Sequence, residues 1–360
     1  MMTILFFGAA QGIVLSVVLL SLKRGHRHAN RVLASVLILF SISMVLHTLS
    51  HSRFFFDIPH HQGFVALLFL PFGPLIYFYV RALTSAGYVS FGRRDWCHFL
   101  PFIVCTCLYI PFYWRSFRSP EPPVLQAVLP GIVFVHVVIY IVVVIKRLRE
   151  HSRNIKASFS SIERINLNWL RALMGAVVVF WLAVIVLEGY GVGSEPWNII
   201  WVLVSVFIYA IGYLGMRQPE IFAGVVQEGE LPRKKYEKST LTPGKAKEYL
   251  DELLEKMSLD KPFLRGDLSL AGLAKELAIT PHELSQIINE YMNRNFFEFV
   301  NHYRVEEAKK MIGDPGSEHL KIAAIGFAVG FNSTSAFNAA FKKHTGFTPS
   351  QFKKKTFPGL

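Results

Sequence analysis

The sequence predicts an all-α chain in two parts: a seven-span transmembrane helical bundle, then a soluble domain built from two helix-turn-helix units. Three observations predict this. Hydrophobic residues make up 52% of the 360, and the mean hydropathy of +0.36 is high for a soluble protein. The excess sits in residues 1–222, while residues 239–360 have the polarity of an ordinary helical domain. Seven apolar runs in the first part approach the ~20 residues a helix needs to cross a bilayer, and two segments of the second part repeat each other at an offset of about 52 residues.

The seven runs are Ile4–Leu22, Val32–Leu49, Val65–Leu83, Phe99–Trp114, Val124–Ile145, Leu170–Leu187 and Trp197–Leu214. The fourth is the shortest and holds Pro101 and Pro111; the third holds Pro71, Gly73 and Pro74, which should kink it. The first lacks a charged leader and is followed by Lys23-Arg24, so it reads as a permanent span with its N-terminus outside rather than a cleaved signal. Residues 1–222 carry 18 Lys and Arg against 8 Asp and Glu. Most of the basic residues fall in the first, third and fifth loops (Lys23, Arg24, Arg27, Arg31, Arg93, Arg94, Lys146, Arg147, Arg149, Arg153, Lys156, Arg164), whereas the alternate loops hold only Arg53, Arg115 and Arg118. Basic loops mark the cytoplasmic side, so seven spans place the C-terminal part in the cytoplasm.

Few polar residues interrupt the spans. Gly8 and Gly12 form a GxxxG pair, read as close helix packing inside the bundle in preference to a dimer contact. His136 lies mid-span and reads as a satisfied core histidine. On the outer face gather His47, His51, Asp57, His60, His61, Glu188 and Glu195, of which His47, His51, His60 and His61 are weak candidates for a metal or acid sensor. The set lacks a dense ligand motif, and interfacial polar residues at span ends are the simpler reading. Cys97, Cys105 and Cys107 form no CxxC pair or disulfide framework. No span carries paired carboxylates, a Ser/His pair on one face or an HExxH motif, and no cofactor motif occurs, so the chain is not expected to be an enzyme or to hold a cofactor.

The expected organisation is a membrane domain over 1–216, a linker over 217–241, an amphipathic connector helix over 242–258 and the soluble domain over 259–360. The linker holds a basic cluster, Arg233, Lys234, Lys235 and Lys238, which reads as a solvated linker in preference to a contact with anionic lipid headgroups. Thr242-Pro243 reads as an N-cap and first helical residue, and Ala246, Leu250, Leu253, Leu254 and Met257 share one side of the helix after it. In the soluble domain the repeat aligns Ala271, Leu273, Ala274, Leu277 and Ile279 with Ala323, Ile325, Gly326, Val329 and Phe331. Each copy is a short helix with a small residue where another helix must approach, then a turn and a second helix. The units span about 268–291 and 320–345.

In the first unit Thr280, Pro281 and Glu283 form a capping box. Leu284, Ile287, Ile288 and Tyr291 are expected to point inward, and His282, Ser285, Gln286 and Asn289 outward. In the second unit Ser333 caps the helix, Phe337 and Phe341 face the core, and Thr334, Ser335, Asn338 and Lys342 face out, with Lys343 beside them. Short polar side chains of this kind reach base edges in a major groove. From Leu320 to Leu360 there are six lysines and no acid, so attraction to phosphate concentrates on the second unit. Helix 296–312, with Phe297, Val300, Val305, Ala308 and Met311 inward, joins the units. At about 25 Å it suits two recognition helices roughly one DNA turn apart.

Residues 322–352, Ile322-Ala-Ala-Ile-Gly-Phe-Ala-Val-Gly-Phe-Asn-Ser-Thr-Ser-Ala-Phe-Asn-Ala-Ala-Phe-Lys-Lys-His-Thr-Gly-Phe-Thr-Pro-Ser-Gln-Phe352, resemble the signature of the AraC/XylS-type transcription regulators. Gly330-Phe331, Phe337, Phe341-Lys342-Lys343, Gly346 and Thr348-Pro349-Ser350 stand where the family has them, and Arg304-Val305-Glu306-Glu307-Ala308-Lys309 is similar to its linker helix. The resemblance covers about Lys261–Lys355. The full layout, with Gly215–Phe222 after the last span, is similar to bacterial members with a multi-span sensor domain. One position departs: Ala339 stands where the family usually has Arg. The resemblance implies a one-component regulator in the bacterial inner membrane with a DNA-binding tail in the cytoplasm. Its expected partners are promoter DNA, the lipid bilayer, a second copy of the chain and a signal whose identity is not written in the sequence. The alternative is a receptor or transporter whose tail is a degenerate protein-interaction module.

Overall fold

A computed structural model describes residues 2–22, 27–50, 65–85, 91–115, 123–163, 165–189, part of 202–213, 241–317 and 319–357. Among these residues the chain is helical, with one isolated antiparallel bridge, Phe159 to Ser269, and no named strand. It divides into two compact units. One comprises 1–150 and 167–226; the other comprises 151–166 and 227–360.

The first unit contains α1 (Met2–Ser21), α2 (Arg27–Ser50), α3 (Phe72–Thr84), α4 (Leu100–Arg115), most of α5 (Pro123–Ser158) and α6 (Asn168–Gly189). Among the described residues four helices are long and apolar enough to cross a membrane: Thr3–Ser21, Arg27–Leu49, Val65–Thr84 and Val128–Ser158. This is fewer than the seven expected. The fourth run folds as α4, only 16 residues with Pro111 inside it. The sixth folds as α6, whose side chains are described continuously only over the apolar stretch Asn168–Ala183, and the seventh, Trp197–Leu214, lies largely outside the described residues. The proline-rich third run, expected to kink, is interrupted by a turn at 68–71 between its helical start at Val65 and α3.

The core of this unit is built from Leu5, Ala9, Leu33, Leu37, Met44, Tyr79, Leu148 and Leu170, with a second cluster around Leu70, Tyr109 and Val133. The faces turned away from it are equally apolar: Phe7, Val14, Val17, Val135 and Val179 are exposed. A helix apolar all round has no aqueous side, which fits lipid surroundings. Gly8 packs tightly, since a Cβ there would meet Ser205 Oγ at 2.6 Å and Met44 Cε at 2.9 Å. His136 is buried with Nε2 3.0 Å from the Leu70 carbonyl, a satisfied core histidine. Arg81 and Asp95 form a bidentate ion pair, at 2.7 and 2.8 Å. The three cysteines are free. Of the outer-face residues, His47 lies on α2, the side chain of Glu188 is not described, and His51, Asp57, His60, His61 and Glu195 fall outside the described residues, as does the linker 217–240. The described residues contain no group of three metal-ligating side chains.

The second unit holds α7 (Pro243–Leu259), α8 (Leu270–Glu276), α9 (Pro281–Met292), α10 (Phe296–Gly313), α11 (Ile322–Ala328), α12 (Thr334–Thr345) and α13 (Pro349–Thr356). α7 begins at Pro243 as expected, though the Thr242 side chain makes no capping bond. Its buried residues Leu253 and Met257 join Leu273, Leu284, Ile287, Ile288, Phe296, Phe299 and Val300 in one core. Val305, Ala308, Ile312, Ile325, Phe331, Phe337 and Phe341 form another. α10 thus carries one core on its first half and the other on its second. Its buried face runs through Phe296 and Phe299; Phe297 and Met311, expected inward, are half-buried.

Candidate nucleic-acid interface

The repeat seen in the sequence is a repeat of hydrogen bonds. Ile279 N donates to Ala274 O at 3.0 Å, and 52 residues on Phe331 N donates to Gly326 O, also at 3.0 Å. Leu277 N to Leu273 O is matched in the same way by Val329 N to Ile325 O. Ala278 takes a left-handed φ of 54° in the first turn, and Gly330 takes 96° in the second. A Cβ on Gly330 would lie 2.5 Å from the Phe263 carbonyl oxygen, so both conformation and space require glycine there. Gly326 is needed for a different reason: a Cβ there would sit 2.7 Å from the Phe337 ring.

Each recognition helix is then launched by its cap. The Thr280 hydroxyl accepts from Glu283 N at 3.2 Å while the Glu283 carboxylate accepts from Thr280 N at 2.8 Å, the expected capping box. These bonds hold the Glu283 carboxyl below its ordinary pKa. Ser333 accepts from Ala336 N at 3.2 Å and starts α12. Sequence reading missed a second capping box, Thr348 with Gln351, and an Asn295 cap on α10.

The two helices present themselves differently. On α12, Thr334, Ser335, Asn338, Ala339, Lys342 and Lys343 are exposed and Ser333 is half-buried at the cap. Lys343 donates to Glu298 of α10 at 2.7 Å, an ion pair that holds the Glu298 carboxyl below its usual range. On α9 the expectation is corrected: Ser285 and Gln286 are buried, His282 and Asn289 are half-buried, and Tyr291, expected inward, is exposed. Five consecutive residues, Leu284 to Ile288, are buried. With 3.6 residues per turn, a run of five means that a complete turn is covered on every side. There Asn289 Nδ2 donates to the Ser285 carbonyl at 2.7 Å, and Gln286 Nε2 donates to the Glu290 carboxylate at 3.2 Å. Among the described residues the buried Gln286 carbonyl oxygen has no hydrogen-bond partner.

Residues 273–355 match the family described as a helix-turn-helix domain. The chain is 31% identical across 88 residues to the Msm operon regulatory protein of Streptococcus mutans, covering 24% of this chain and 31% of that protein. It is 26% identical across 87 residues to the Arabinose operon regulatory protein of Escherichia coli, covering 24% and 29%. The C-terminal part is an AraC-type helix-turn-helix domain. The matched relatives are transcriptional regulators rather than enzymes, and the chain spans about a third of their length. A solved structure, the C-terminal domain of AraT, a response regulator from Geobacillus stearothermophilus, is 26% identical, covers 32% of this chain and 88% of its own, and superposes with a TM-score of 0.26.

The AraC-type domain also contains a residue that the resemblance placed on the linker helix but whose burial the sequence did not signal. Arg304, on α10, has no exposed surface. Its Nε donates to Phe263 O at 2.7 Å and Nη2 to Arg265 O at 2.8 Å, and its guanidinium lies 5.5 Å from the centre of the Phe331 ring. One buried cation therefore ties α10 to the lead-in of the first unit and to the turn of the second. Burial lowers its pKa to about 10, opposed by the Glu163 charge, so it stays protonated at neutral pH.

Proposed function

We propose that the chain is a membrane-bound transcriptional regulator whose cytoplasmic tail binds specific DNA in response to a signal met in the bilayer or outside it. The observation that carries this is the joining, in one chain, of helices apolar enough to cross a membrane and an AraC-type domain with two units of matching turn geometry. The reading places the chain in a bacterial inner membrane with basic loops inside. Thr334, Ser335, Asn338 and Lys342 of α12 face the major groove, with Ser333 and Lys343 at its edges and the C-terminal lysines on phosphate. His282, Ser285, Gln286 and Asn289 serve the first unit. Two of these are buried, so the conformation described here is one in which α9 does not offer its full reading face. A second copy of the chain completes the assembly on two-part sites, and the signal acts by shifting how the tails meet DNA.

The test is selection of bound duplexes from a random pool by the full chain in lipid nanodiscs, at several salt concentrations. A shared two-part motif whose binding weakens steeply with salt is the expected result. The rival reading, a receptor with a degenerate interaction tail, draws on Ala339 and on the covered turn of α9; recovery of no motif at low salt would decide for it.

A further inference from the structure

Segment 151–166 lies in sequence between two apolar helices, yet it packs in the same compact unit as the AraC-type domain. The contact is built around Ser160, which is 1% exposed. Its N–H and its hydroxyl both donate to the Leu268 carbonyl, at 3.2 and 2.6 Å. Its hydroxyl oxygen and its carbonyl each accept from Arg304, from Nη2 and Nη1, both at 3.1 Å. Beside it Phe159 pairs with Ser269 in an antiparallel bridge. A guanidinium has five N–H donors. Arg304 spends one on Phe263 O, one on Arg265 O, one on Asn301 Oδ1 at 3.4 Å and the remaining two on Ser160. The donor set of this buried cation is therefore filled only when the loop is seated.

Segment 262–268 is where the contacts converge. It gives carbonyls to Arg304 and Ser160, its Gly266 carbonyl accepts from Asn332 Nδ2 at 2.9 Å, and Phe263 and Leu264 press on Gly330. A group that fixes this segment fixes the first unit against the turn of the second.

We propose that segment 151–166 is a docking arm for the AraC-type domain: by completing the donors of Arg304, Ser160 sets the arrangement of the two helix-turn-helix units. The position of the arm, which is continuous with α5 on one side and leads into α6 on the other, then controls how the domain meets DNA. This last step rests on the DNA-binding reading above; the docking does not.

The experiment uses the full chain in nanodiscs of phosphatidylethanolamine and phosphatidylglycerol, with two readouts. Ser160→Leu, whose side chain has no room at this site, unseats the arm without altering the tail; Ser160→Ala removes only the hydroxyl. Hydrogen exchange of peptides covering 262–268 and 330–332 should quicken about tenfold in Ser160→Leu and less in Ser160→Ala. Affinity for a two-part duplex from the random-pool selection should fall about tenfold in Ser160→Leu. Because a bulky variant can disturb folding, Phe159→Cys with Ser269→Cys, in a background lacking the three native cysteines, gives a second arm. Directly paired residues on antiparallel segments lie within disulfide reach, so oxidation should link them and preserve protection and affinity. Unchanged exchange in Ser160→Leu, or failure of the cysteine pair to link, overturns the docking. Altered exchange with affinity held within about twofold overturns the control of DNA binding. A wild-type chain that binds no duplex sinks the DNA-binding reading, and the exchange and cross-linking results then still decide the docking.

Discussion

At the scale of single residues, chemistry and conformation can be separated. Gly330 has φ of 96° and sits against the Phe263 and Leu264 carbonyls. Gly330→Ala should therefore destabilise the AraC-type domain by about 2 kcal/mol, part from the left-handed backbone and part from displacing the 263–264 strap. Pulse proteolysis in urea, scored on fragments of the tail, measures it; a variant as resistant as wild type would mean the turn tolerates a Cβ. Ala339 is a different case, exposed on α12 beside Asn338 and Lys342. Its side chain is exposed, so Ala339→Arg adds a charge at little folding cost. It should tighten duplex binding by roughly 1 kcal/mol and steepen the salt dependence by about one phosphate contact. A salt slope identical to wild type would show that this face of α12 does not lie on the backbone.

At the scale of elements, caps and the α10–α12 contact give the domain its pH response. Glu283 and Glu298 have folded pKa values below their ordinary 4.5, the first through bonds from Thr280 and the second through Lys343. A depressed carboxyl contributes stability that is full above its unfolded pKa and is lost as pH falls through the folded value. His302 and His344, whose rings are 5.7 Å apart, are both depressed from 6.5, first by burial; Arg294 and Lys309 add to it for His302, His302 itself, Arg294 and Lys343 add to it for His344, and Glu306 opposes in both. For these the neutral form is favoured in the folded state, so stability is full above 6.5 and declines below it. The domain should accordingly lose stability in two steps, one beginning below pH 6.5 and one below 4.5. His302→Gln combined with His344→Gln should erase the first and leave the second. Thr280→Ala should cost about 1 kcal/mol at neutral pH and shrink the second step slightly, because the Thr280 hydroxyl's bond to Glu283 is lost while the backbone N–H of residue 280 still donates to the carboxylate. Melting curves read by the same proteolysis at a series of pH values would expose a single undivided decline if this assignment is mistaken.

At the scale of the whole molecule, what the sequence revealed follows the range of the interactions involved. Local signals were legible: the capping box at Thr280, the break before Phe72, and the repeat that places Ile279 and Phe331 in equivalent turns. Apolar runs were legible as hydrophobicity, and the shortness of the fourth, Phe99–Trp114, was legible too: it folds as the 16-residue α4. The burial of Ser285 and Gln286 was not legible, because a polar residue on a helix face announces exposure unless something distant covers it. The pairing of Ser160 with Arg304, 144 residues apart, left no periodicity to read. It also bears on a common simplification, treating such a tail as a free-standing module. A fragment over 239–360 contains Arg304 but not Ser160, so two donors of a buried cation lose their acceptors. Hydrogen bonds to a charged group are each worth about 1.5–3 kcal/mol, and water entering the vacated site recovers part of that. The fragment should thus be about 2 kcal/mol less stable than the same region in the full chain, with the loss centred on 262–268. Comparing its urea midpoint and local hydrogen exchange with those of the intact protein tests this. Equal stability would mean water replaces the serine fully; a deficit confined to α7 would point instead to the severed linker.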